Sequence, residues 1–160
     1  MAPECASWQE GMIQAVTATI ENLAFTEVLP QAPGEAPPPA ADWPWTRLPV
    51  REPAAGELCL AMSPDLLAGL AATVYGPVMG EIGPAQENDL LAEILNTIAG
   101  RFLADILPPG EVFRLGLPEA GSGPPALPGP PACTCHFVAE DEPFAVTVAG
   151  AALLALRQTG

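Results

Sequence analysis

The sequence predicts an α+β fold, an antiparallel-rich sheet packed by two or three helices, one of them long. Three observations carry that expectation. Apolar residues recur at helical spacing in the N-terminal, the 63–76 and the 86–107 stretches. Short apolar runs bounded by Gly, Pro and acidic turn residues read as strands, including a hairpin pattern across 133–148. The helices and strands come in runs rather than in strict alternation, which argues against a parallel doubly wound sheet. At 160 residues, with 49% hydrophobic content, the chain is expected to form one domain, 1–160, that can bury a core without disulfide or metal staples.

Taken in order, Ser7-Trp8-Gln9-Glu10 reads as a capping box, followed by Met12, Ile13, Val16, Ile20 and Leu23 at helical spacing. A helix is predicted over about 8–24, then a short segment Phe25–Leu29 stopping at Pro30. Residues 31–45 are rich in Ala and Pro and are expected as a surface loop. Arg47–Arg51 reads as an edge strand because Pro49 lies inside it. Leu58–Met62 is a compact apolar strand. Ser63-Pro64-Asp65 then starts a helix with a cap, a proline at the first position and an acid near the positive end of the helix dipole. Leu66, Leu67, Leu70 and Val74 supply its buried stripe, and Gly76-Pro77 ends it. The longest helix is expected from Gln86–Asp89 to Leu107, stopped by Pro108-Pro109-Gly110. Val112–Leu117 is a predicted strand ending at Pro118, and 119–132 a second Pro/Gly-rich surface loop. Cys133–Ala139 and Phe144–Val148 form the hairpin around Glu140-Asp141-Glu142-Pro143, and Ala151–Leu156 fits strand or helix equally well.

Charge narrows the function classes. Nineteen Asp and Glu stand against five Arg and no Lys, a net charge of −14. Such a field repels phosphate backbones and anionic lipid, so neither nucleic acid nor membrane is an expected partner. Without Lys there is no Schiff base and no P-loop lysine. The first ten residues carry Glu4 and Glu10 and no cation, unlike a signal peptide, and the uncharged stretch 66–80, interrupted by Gly69, Gly76 and Pro77, is too short to span a bilayer. The expected compartment is the cytoplasm, with Cys5, Cys59, Cys133 and Cys135 as reduced thiols.

The long helix carries the functional argument. With 100° per residue and Ile94 at zero, Leu90, Leu91, Ile94, Leu95, Ile98, Phe102 and Ile106 fall between about −40° and +120°. Asp89, Glu93, Asn96, Gly100 and Ala104 fall between about 200° and 280°, on the opposite pole. An ordinary solvated face would hold Lys, Glu, Arg and Gln. This one spends weak helix formers, Asn and Gly, and like charges four residues apart, on a single stripe. Locally unfavourable choices concentrated on one face suit a docking ridge: Gly and Ala admit a partner closely, Glu93 can pair with a cation, and Asn96 offers a donor and an acceptor. The alternative is a polar exposed face whose glycine serves helix packing.

Asp89-x-x-x-Glu93-x-x-Asn96-x-x-x-Gly100 resembles the acidic-x3-Glu-x2-Asn signature of the CheC/CheX/FliY chemotaxis phosphatases. The single copy and the chain length look most like CheX. The Glu21-Asn22-Leu23-Ala24-Phe25 helix end, the Leu58–Met62 strand with the Ser63–Gly76 helix after it, and the strand ending in Leu117-Pro118 are similar in order. The resemblance covers most of the chain except 31–45 and 119–132. It implies a CheC/CheX-like fold and hydrolysis of the aspartyl phosphate of a CheY-like response regulator in two-component chemotaxis signalling. Asn96 would orient the attacking water, Glu93 would bind the regulator's lysine, and Asp89 and Gly100 would belong to the docking surface. No cofactor of the chain's own is implied; magnesium is expected on the partner regulator. The resemblance further implies a homodimer joined through sheet edges, expected at the hairpin near Cys133–Val148. A non-catalytic module that binds a response regulator or a flagellar switch component is the rival implication.

Other constellations are weaker. Cys133, Cys135 and His136 are three soft ligands, but on a strand the first two share a face and the third opposes them. No metal site is expected there, and the same geometry disfavours a Cys/His nucleophile. Trp43-Pro44-Trp45 is either a binding patch or a loop anchor over the core, the latter being preferred.

Overall fold

A computed structural model of the chain describes residues 3–32, 34–35, 40, 42–76, 81–122 and 132–155. In chain order the elements are α1 (Pro3–Ala24), β1 (Val28–Gln31), β2 (Pro44–Glu52), β3 (Gly56–Met62), α2 (Pro64–Tyr75), α3 (Pro84–Ile106), β4 (Arg114–Leu115), β5 (Glu119–Ser122), β6 (Ala132–Ala139), β7 (Glu142–Ala149) and the short α4 (Ala151–Leu154). The strands form one antiparallel sheet in the order β1-β6-β7-β3-β2, with both β4 and β5 on the far side of β2. The α+β class is as expected.

The helices α1, α2 and α3 cover one face of this sheet. Strand residues of alternating parity reach into the core: Leu58, Leu60 and Met62 from β3, and Phe144, Val146 and Val148 from β7. Phe137 and Phe144 stack with ring centroids 5.1 Å apart at its centre. No helix among the described residues is long and apolar enough to cross a membrane.

Local chemistry explains several boundaries. Ser63 caps α2, its hydroxyl accepting from Leu66 N–H at 3.2 Å, with Pro64 in the first turn. Ser63 Oγ also donates to Glu142 of β7 at 3.0 Å, which ties the cap to the sheet. Glu140 and Asp141, both at positive φ (52° and 64°), make the two-residue turn of the β6–β7 hairpin; that backbone twist matches the twist of the flanking strands. Gly56 opens β3 where a Cβ would come 2.5 Å from Ala149 O and 2.7 Å from Leu153 Cβ, so only glycine fits there.

Elsewhere the structure departs from expectation. α1 begins at Pro3, so Ser7 lies within the helix rather than at its start. β1 runs through Pro30, tolerated because β1 is an edge strand paired only with β6. β2 is not an edge strand: β3 pairs with one side, and β5 and β4 share the other. Pro49, which cannot donate, falls in the gap between the pairing with β5 (Pro44–Arg47) and that with β4 (Val50, Glu52), where its carbonyl accepts from Gly116 N–H at 2.8 Å. The stretch 119–132 is partly strand, β5 pairing with β2 and Ala132 opening β6, while residues 123–131 lie outside the described residues. The stretch 31–45 likewise starts in β1 and ends in β2, and Trp43 is buried. The predicted strand 112–117 shrinks to Arg114–Leu115. Ala151–Leu154 is helical. The β6–β7 hairpin is interior, flanked by β1 and β3, so it offers no edge to a second subunit; among the described residues β1 and the β4/β5 side of β2 are the sheet's edges.

Candidate functional site

The site is built on α3. Gly83 precedes it in extended conformation, Pro84 opens its first turn, and Gln86 Oε1 reaches back to accept from Gly83 N–H at 2.9 Å. The predicted stripe of Leu90, Leu91, Ile94, Leu95, Ile98, Phe102 and Ile106 is buried, joined by Ala99 and Leu103. With nine side chains locked into the core, the opposite face is held at a fixed orientation.

On that face Asp89, Glu93, Asn96 and Ala104 are exposed, and Gly100 is half-buried. Glu93 and Asn96, three residues apart, are neighbours, with Cβ atoms about 5–6 Å apart by helical geometry. Neither their side chains nor that of Asp89 is engaged with any described residue. Thr97, next to Asn96 and one turn on from Glu93, donates its hydroxyl to Glu93 O at 2.9 Å and so stays with its own helix. A Cβ added at Gly100 would meet nothing within 4 Å. The glycine is therefore not there for packing inside this chain; it leaves bare backbone facing outward. The four stripe residues expected as a site thus lie together on one ridge, with an unengaged carboxylate beside an unengaged amide.

The flank of this ridge was not legible in the sequence. Between α1 and α3 runs a groove of about 460 Å³ lined by Gly11, Gln14, Ala15, Ala18, Arg101, Ala104 and Asp105. At Gly11 a Cβ would come 2.7 Å from Asp105 Oδ2, so the glycine makes room for that carboxylate over α1. The small residues were visible in each helix, but nothing local says which helix faces which.

The rival constellations separate. Cys133 and Cys135 point into the core, and His136 lies on the opposite face of β6, opposite Gln31 of β1. Among the described residues no group of three or more His, Cys, Asp or Glu could hold a metal ion. The expectation of four reduced thiols is corrected: Cys133 is disulfide-bonded, while Cys59 and Cys135 are free and buried. Burial pushes the Cys59 thiol up to about 12, aided by nearby Glu57 and opposed by Arg47, and pushes Cys135 up to about 11. Neither is a thiolate nucleophile at neutral pH. Burial also holds His136 below its ordinary value. Trp45 lies on the outer sheet face under Arg47, whose guanidinium sits 5.4 Å from the ring centroid and pairs with Glu119 and Glu57. The Cys5, Ser7 and Trp8 side chains lie outside the described residues.

No protein-family model matches the chain, and no curated protein matches it in sequence. Solved structures do match its fold. The chain is similar to the chemotaxis protein CheX of Desulfovibrio desulfuricans, with TM-score 0.72 and 16% identity over 88% of this chain and 96% of that one. It is similar to CheX of Borrelia burgdorferi, solved as a complex with CheY, BeF3 and Mg2+, with TM-score 0.68 and 17% identity over 89% and 96%. It is also similar to the FliM middle domain of H. pylori, with TM-score 0.63 and 10% identity over 93% and 92%. The architecture is the fold shared by the CheX chemotaxis proteins and the FliM middle domain.

Proposed function

We propose that this chain is a protein aspartyl-phosphate phosphatase acting on a CheY-like response regulator. The observation that carries the reading is the rigid ridge of α3, on which Glu93 and Asn96 project together with no engagement to the described residues. In a CheX-type fold that is where the acidic-x3-Glu-x2-Asn pattern would be used.

Phosphoryl transfer to water needs an in-line nucleophile, charge neutralisation and positioning. The regulator would bring the phospho-aspartate, its lysine and a magnesium ion that neutralises the phosphoryl oxygens. Glu93 would take the lysine as a charge-assisted pair and so set the docking register. The Asn96 side chain would then enter the regulator's site, its amide oxygen accepting from the water and its amide NH2 free to donate to a phosphoryl oxygen. The water oxygen attacks phosphorus as the bond to the aspartyl oxygen breaks; the products are inorganic phosphate and the free carboxylate. Asp89 adds a peripheral carboxylate, and Gly100 lets the partner surface come close. Orienting a single water is worth a few kcal/mol at most, so the acceleration is modest beside that of self-contained phosphatases. A response-regulator substrate places the reaction in the cytoplasm, and a homodimer, joined at one of the free sheet edges, would carry one ridge per subunit.

The test is phosphate release from the phosphorylated regulator with Mg2+. Wild type accelerates release, Asn96→Ala abolishes the acceleration while regulator binding stays measurable, and Glu93→Gln weakens binding. Full activity in Asn96→Ala would remove the assignment. The FliM-like match favours one rival reading, a module that binds the regulator without hydrolysis; binding with no acceleration by wild type is its signature.

A further inference from the structure

We propose that the groove between α1 and α3 is a second docking element for the response regulator and takes an acidic side chain of that partner, with Arg101 as its counter-charge and specificity-determining residue. This inference rests on the partner assigned above.

Charge placement is the first reason. The helices α1, α2 and α3 contain one Lys or Arg between them, Arg101, in a chain of net charge −14. An isolated cation in such a field would ordinarily be captured by a neighbouring carboxylate. Arg101 is exposed and engages no described residue, although Asp105 follows it at i+4. Asp105 already has an interaction of its own within the chain.

Shape is the second. The groove, about 460 Å³, has a floor of small α1 residues, Gly11, Ala15 and Ala18, and a wall at Ala104 of α3, with Gln14, Arg101 and Asp105 also lining it. A side chain with a short apolar stem and a carboxylate tip matches that combination, with the stem over the alanines and the tip on the guanidinium.

Continuity is the third. Ala104 belongs both to the polar ridge and to the groove wall. Arg101 lies about 12 Å further along the axis from Glu93 and about 80° around from it, and about 140° around from Asn96. A partner docked on the ridge reaches the groove by extending past Glu93 along that side of α3. Glu93 asks for a cation and Arg101 for an anion, so only a surface carrying both, in that order, satisfies the ridge. A uniformly basic surface would be attracted at Glu93 and repelled at Arg101, which is how charge patterning fixes register and excludes wrong partners.

The experiment titrates a CheY-type response regulator from the same organism, loaded with beryllofluoride and Mg2+, onto wild type, Arg101→Ala, Arg101→Glu and Glu93→Lys, at low and high salt, and measures hydrolysis at saturating phosphorylated regulator. Arg101→Ala should weaken binding about threefold and Arg101→Glu about tenfold, with the loss shrinking at high salt and kcat unchanged. Reversing one acidic surface residue of the regulator to Lys should restore binding to Arg101→Glu and weaken binding to wild type. If Arg101→Glu binds within about twofold of wild type while Glu93→Lys does not bind, the groove is not a docking element and the ridge reading survives. If wild type itself neither binds nor accelerates hydrolysis, both fall.

Discussion

Asn96 occupies a helical position that Ala, Glu or Lys would stabilise better, and it is compensated by nothing within the described part of the chain. A residue kept at a local cost with no internal partner has its use outside the molecule. His136 illustrates the opposite case. It is a titratable group whose environment is internal, placed opposite Gln31 on β1 and Ala145 on β7. Burial holds its pKa below the ordinary 6.5, so the folded chain prefers it neutral while the unfolded chain protonates it near 6.5. Its effect on stability is therefore absent above that value and becomes unfavourable as pH falls through 6.5 to the depressed folded pKa. Urea unfolding from pH 7.5 to 5 should give a steeper loss of stability for wild type than for His136→Gln. Parallel curves for the two would refute the effect.

At the scale of the element, α3 divides its labour by face. Nine buried apolar side chains fix its orientation, and the outward face is left to Asp89, Glu93, Asn96, Gly100 and Ala104. Because a Cβ at Gly100 would meet only open space, Gly100→Ala should stabilise the folded chain by about 0.5–1 kcal/mol, read as a higher urea midpoint. Gly100→Leu should keep the fold and weaken regulator binding, since the added bulk stands where the proposed partner would approach. The core face is unforgiving by comparison: Ile98→Ala should cost about 2–5 kcal/mol, because its fully buried side chain would leave a cavity.

Over the whole molecule, the sheet's closing corner is set by backbone proximity. Gly56 at the start of β3 meets Ala149 and Leu153, and Gly150 adopts φ 115° where its Cβ would lie 2.8 Å from Gly56 Cα. Gly56→Ala should destabilise the chain by about 1–3 kcal/mol in denaturant unfolding, since carbonyl oxygen and Leu153 must both move. The net charge acts at this scale too. It biases the whole helical layer toward a cationic partner surface, with Arg101 the single inversion.

How much of this was legible depended on the range of the interaction. The two faces of α3 could be read from 100° periodicity, the start of α2 from Ser63-Pro64-Asp65, and the β6–β7 hairpin from its acidic turn, because each depends on residues within a few positions. Pro49 misled because proline reports a missing donor, not which neighbour would have needed it; the gap between β5 and β4 supplies that answer. Strand β5 was invisible because Glu119–Ser122 has no strand propensity of its own and is ordered by β2. The hairpin's interior position followed from β1 joining β6 across more than a hundred residues, and no local pattern encodes that.

Helical period is a property of the chain alone, so the long helix and the ridge of Asp89, Glu93, Asn96 and Gly100 are encoded locally, and with the strand pattern so is the class of the fold. Long-range packing settles that this ridge is open among the described residues, that Gly100 faces empty space, which strands lie at the sheet's edges, and that α1 lies beside α3 to make a groove beside Arg101. Those facts depend on which distant surfaces bury each other, and burial is settled by the packing of the whole core rather than by any one segment.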